Sequence, residues 1–85
     1  MKSFNYVIND ELGLHARPAG LLVKEAKKFQ SKITITKGEK TVSATQLMMI
    51  MSMAIKKGAE VTVSAAGEDE DAAIAAIEAF FKENL

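Results

Sequence analysis

Residues 12–20, Leu-Gly-Leu-His-Ala-Arg-Pro-Ala-Gly, hold the chain's one histidine (His15), its one arginine (Arg17) and its one proline (Pro18). A neutral imidazole is nucleophilic near pH 7 and can carry a transferable group on a ring nitrogen. Arg17 places a planar cationic fork, suited to phosphate or carboxylate oxygens, on the second residue after it. Gly13 fits a turn that needs positive φ, and Pro18 fits the first turn of a helix, where its missing N–H costs little. Unpaired N–H groups at a helix start, together with the helix dipole, favour an anion. A nucleophilic ring, an arginine two residues on and a ready-made anion site together point to phosphate. No metal site is expected, because one histidine and no cysteine cannot supply a ligand set.

The elements that must hold this loop are read from hydrophobic period. Phe4, Tyr6 and Ile8 alternate with Ser3, Asn5 and Val7, so residues 2–8 predict a half-buried strand. The polar run 9–13 is a loop, and a helix over about 16–28 follows, with Ala19, Leu22, Val23, Ala26 and Phe29 inward and Lys24, Lys27 and Lys28 mostly outward. Two alternating runs, 32–37 and 40–44, predict a hairpin about Gly38. Residues 45–55 predict a second helix with Leu47, Ile50, Met51 and Ala54 on one stripe, capped by Thr45 or Ser43 and stopped by Gly58. That segment is apolar nearly all round, so one buried stripe cannot absorb it. Leu47, Met48 and Met51 are therefore expected to form part of an exposed docking patch, rimmed by Lys24 and Lys27. Val61, Val63 and Ala65 mark a last strand. A third helix runs from Ala72 to the end, with Glu68 to Asp71 at its dipole-favoured start.

This βαββαβα order predicts a single α+β domain over 1–85. Its architecture is an open-faced two-layer sandwich, a four-stranded antiparallel sheet covered on one face by three helices. Eleven basic and eleven acidic residues cancel, which leaves no global field for nucleic acid or anionic membrane. The longest apolar run, Leu47 to Met51, is too short for membrane insertion. The absence of cysteine fits a reducing compartment, and a cytoplasmic protein is expected. No second catalytic group accompanies the histidine, so a stand-alone enzyme is not expected; no cofactor and a monomeric state are.

Gly13-Leu14-His15-Ala16-Arg17-Pro18-Ala19, opening the first helix of such a chain, resembles the signature of the HPr family, the histidine-containing phosphocarriers of the bacterial phosphoenolpyruvate-dependent sugar phosphotransferase system. The likeness extends over the whole chain, including Lys24-Glu25-Ala26 and Ala66-Gly67-Glu68-Asp69-Glu70. It implies that His15 takes a phosphoryl group on Nδ1 from enzyme I and passes it to IIA domains of sugar permeases. It also implies that Arg17 and the main-chain N–H groups of Ala16 and Arg17 hold the phosphoryl oxygens. The first and second helices would make the partner contacts, through Gly20, Lys24, Lys27, Leu47, Met48 and Met51. A regulatory paralogue of the nitrogen-linked branch, acting as a phosphorylation-dependent binding module, is the alternative within the same family. Where many members carry a serine phosphorylated by the ATP-dependent HPr kinase, this chain has Gln46. Ser43 and Thr45 are out of register, so kinase control does not carry over.

Overall fold

A computed structural model describes all of residues 1–85. The alternating runs form four strands: β1 (Lys2–Val7), β2 (Lys32–Lys37), β3 (Lys40–Ser43) and β4 (Glu60–Ala66). They pair antiparallel in the order β1-β4-β2-β3, with Phe4 opposite Val63 and Ile35 opposite both Val63 and Val42. Because side chains alternate across a strand, this register puts Ile33, Ile35, Val42, Val61, Val63 and Ala65 on one buried face. The other face carries Asn5, Thr34, Thr36, Thr62 and Ser64, none of them buried.

Three helices, α1 (Ala16–Ala26), α2 (Leu47–Ser52) and α3 (Glu70–Asn84), cover the apolar face and give the expected α+β open sandwich. Phe81 of α3 is fully buried and receives Phe4, Tyr6 and Phe80 edge-on, with ring centroids 5.7, 5.5 and 6.3 Å away. Ala19, Leu22 and Ala26 of α1 close the same core, as their i, i+3, i+7 spacing requires.

The differences from expectation lie at helix ends. The first helix stops at Ala26, two residues before its expected limit of 28, and Phe29 packs on the core from the following turn. The second is six residues long in place of the expected span 45–55. Of its proposed stripe only Ile50 is buried, and Met53, just past the helix end, fills the core in place of Met51 and Ala54. Neither Ser43 nor Thr45 caps it: Gln46 is the N-cap residue, and the two hydroxyls bond to each other at 2.8 Å. Gly58 stops no helix but sits in the turn before β4, its N–H donating to the Ile8 carbonyl. The third helix starts at Glu70, inside the acidic run.

That run also does more than answer a dipole. The Asp69 carboxylate reaches across to accept the N–H of Gln30 (2.9 Å), the N–H of Ser31 (2.8 Å) and the Ser31 hydroxyl. It thereby ties the α1–β2 connection to the start of α3. The Ser31 hydroxyl bond, followed by the Gln30 N–H, holds its carboxyl below the usual aspartate range. Gly67 is required here, since a Cβ would stand 2.7 Å from the Ser31 Cα on a backbone at φ 155°.

Candidate functional site

The chain enters α1 through a loop that is fixed at both ends. Asp10 accepts the Leu12 N–H on its carboxylate at 2.8 Å, and the main-chain oxygen of Leu85 accepts the N–H groups of Asn9 and Asp10. Gly13 turns the chain at φ 67° against residues 55–56, where a Cβ would lie 2.4 Å from the Ile55 oxygen. Leu14 donates its N–H to that same oxygen at 2.9 Å and buries its side chain. The backbone is thus pinned to two distant segments immediately before the histidine.

His15 is the N-cap residue of α1, with extended backbone (φ −85°, ψ −176°). Its carbonyl accepts the Ala19 N–H at 2.9 Å, the first bond of the helix. Its imidazole makes no capping bond to the helix, so the half-buried ring is not used up by local structure. Pro18 has no N–H to offer. The N–H groups of Ala16 and Arg17 have no acceptor within the protein, and they are the orphan donors of the helix start. Arg17 is exposed in the first turn. None of the five ion pairs of the structure includes it or His15. Arg17 borders a cavity of about 190 Å³ together with Asp10, Pro18, Leu21 and Asn84. One nucleophilic ring, two free main-chain donors and one unpaired guanidinium therefore share a single helix start. This arrangement can bind a tetrahedral oxyanion attached to the ring.

The remaining expected positions fall into two groups. Gly20 and Lys24 of α1 and Lys27, its C-cap, lie at i, i+4 and i+7, with both lysines exposed and open space above Gly20. Leu47, Met48 and Met51 are 39, 78 and 38 % exposed on α2, which packs against α1. Leu21 of α1 (45 %) and Met49 of α2 (47 %) are also exposed apolar side chains, outside the expected docking residues. For Leu21 the available signal was its place just off the buried stripe; for Met49 there was none, because its neighbours are equally apolar. No cluster of side chains could hold a metal ion, and no helix is long and apolar enough to cross a membrane.

The chain is similar to known phosphocarrier proteins over nearly its whole length. Residues 2–83 match the family model described as the PTS HPr component phosphorylation site. The phosphocarrier protein HPr of Mycoplasma capricolum subsp. capricolum is 52 % identical over 77 residues, which is 91 % of this chain and 86 % of that protein. A solved Mycoplasma histidine-containing phosphocarrier protein superposes with a TM-score of 0.93 at 48 % identity, covering 96 % of this chain and 93 % of its own. The crystal structure of HPr from Thermoanaerobacter tengcongensis matches with a TM-score of 0.88 at 45 % identity, covering all of both chains.

Proposed function

Since the chain belongs to the HPr family of phosphotransferase-system phosphocarriers, we propose that His15 accepts a phosphoryl group from enzyme I and transfers it to the IIA domains of sugar permeases. The observation that carries this reading is the coincidence, at the start of α1, of an uncommitted imidazole with the free N–H groups of Ala16 and Arg17 and the unpaired Arg17 guanidinium.

In the neutral ring with its proton on Nε2, the Nδ1 lone pair attacks phosphorus. The N–P bond forms as the bond from phosphorus to the donor breaks. Charge accumulates on the three phosphoryl oxygens. The two main-chain donors at the helix start and the cation of Arg17, two residues on, are suited to hold that charge. The next acceptor reverses the sequence: its nucleophile attacks the same phosphorus and the imidazole leaves with its electron pair.

Partner docking is assigned to the exposed faces of α1 and α2, with Leu47, Met48 and Met51 as the apolar centre and Lys24 and Lys27 at the rim. Gln46, the exposed N-cap of α2, carries no hydroxyl, so the reading includes no phosphorylation there by the ATP-dependent kinase.

The test is incubation with phosphoenolpyruvate and enzyme I. The expected product is an acid-labile, base-stable phosphoprotein that His15→Ala does not form. Arg17→Ala slows transfer by roughly 10- to 100-fold, the loss of a charge-assisted hydrogen bond. An acid-stable adduct, or none, overturns the proposal.

A further inference from the structure

The chain has no cysteine, so its only sulfur chemistry is methionine chemistry, and four of its five methionines lie at 48, 49, 51 and 53. The structure grades them steeply. Met48 is 78 % exposed, Met49 47 % and Met51 38 %, while Met53 is 5 % exposed and packed in the core. A thioether that water reaches can be reached by a peroxide, and oxidation follows access. We propose that Met48, with Met49 and Met51, is a reversible oxidation site through which peroxide weakens partner docking at α2. This rests on the assignment of that face as the docking surface.

The reaction balances without further components. The thioether lone pair attacks one peroxide oxygen, the O–O bond breaks, and the other oxygen leaves as water after taking up the proton. Sulfur loses two electrons and becomes a sulfoxide. A flexible apolar side chain thereby acquires a strong hydrogen-bond acceptor. In the free protein that acceptor is solvated and costs nothing, because Met48 stands in water. On docking it must be stripped of water and left without a donor, which opposes binding. The effect therefore falls on association and not on the fold. His15 and Arg17, which carry no sulfur, keep their chemistry. Met53 is the position where a sulfoxide would damage the core, and its burial protects it.

The experiment treats the full chain with graded hydrogen peroxide, maps sulfoxides by peptide mass spectrometry, and measures KM and kcat for the protein as acceptor from enzyme I. Met48 is expected to oxidise before Met49 and Met51, and Met53 last. KM should rise roughly tenfold or more, as loss of one methionine's apolar contact at an interface predicts, with kcat held. Methionine sulfoxide reductase should restore the original KM. In a variant carrying Met48→Leu, Met49→Leu and Met51→Leu, peroxide should leave KM at that variant's own untreated value, while the far-UV spectrum reports that the fold persists. An unchanged KM after complete oxidation of Met48, or a loss that the reductase does not reverse, overturns the proposal. Met48→Lys, without peroxide, separates the two layers. If it raises KM while oxidation does not, the oxidation site alone is wrong. If it leaves KM unchanged, the docking assignment fails and the proposal with it.

Discussion

The helices α1 and α2 pack against each other and both face the proposed partners, yet they are held in place by different means. Along its 11 residues α1 buries Pro18, Ala19, Leu22 and Ala26, so hydrophobic packing fixes it and the proposed phosphoryl site at its start follows. Only Ile50 is buried among the six residues of α2. A helix that short is not stable by itself, and its support comes from its ends. At its C-terminal end, Lys37 of β2 donates from Nζ to the main-chain oxygens of Met53 and Ala54, both at 3.1 Å. Lys40 of β3 donates to the Ser52 hydroxyl at 3.0 Å, and that hydroxyl donates to the Met49 carbonyl at 2.6 Å. The difference suits the two tasks. A phosphoryl site must have its donors in register before the group arrives, whereas a surface that meets several partners benefits from a loosely held, adaptable apolar segment.

The largest effect that separates the two is core truncation. Leu22→Ala removes a fully buried side chain from α1 and should cost about 3 kcal/mol, with the melting temperature falling well over ten degrees. Met49→Ala, from a residue nearly half exposed, should stay within about 0.5 kcal/mol. Thermal denaturation followed by circular dichroism measures both. Similar losses from the two would mean that α2 is packed as α1 is, and the contrast would fail.

The same contrast explains which parts of the structure the sequence could disclose. Period-2 alternation placed Ile33, Ile35, Val61, Val63 and Ala65 on the buried face, because register fixes every side chain once one face is apolar. His15, Arg17 and Pro18 are neighbours in the chain, so a helix start was enough to bring them together. The second helix differs from expectation in length and burial because Leu47 to Met53 is interrupted only by Ser52, and a pattern with almost no polar face selects no inward stripe. Only the hairpin lysines and the core position of Met53 decide where it ends. Other features hidden from the sequence join distant segments: Leu14 to Ile55, Asp69 to Gln30 and Ser31, and the cavity that brings Asp10 and Asn84 to Arg17. No local spacing encodes such contacts.

The hairpin lysines give a sharper and smaller test. Lys37→Met keeps the aliphatic stem but removes the ammonium that holds the last carbonyls beyond α2. The amides from Ile50 to Ala54 should lose about 1 kcal/mol of protection against hydrogen exchange, while those of α1 and β4 keep theirs. Equal losses throughout the molecule would show that the latch supports the fold as a whole.

The second acceptor of that latch, Ala54, is the one non-glycine residue with positive φ (51°). The left-handed conformation costs an L-residue about 1 kcal/mol, through the close approach of Cβ to the following carbonyl. Ala54→Gly removes this strain but also gives the unfolded chain more freedom, which offsets part of the gain. The net expected change is a stabilisation of about 0.5 kcal/mol, or about 3 °C in melting temperature. The same substitution where φ is helical should do the reverse: Ala75→Gly, at an exposed position inside α3, should cost about 1 kcal/mol. Opposite signs from one chemical change would show that α2 ends where Lys37 and the core at Met53 hold it, against the preference of Ala54's own backbone. Two losses would mean that the turn after α2 is relaxed with alanine in it, and that its geometry needs no such holding.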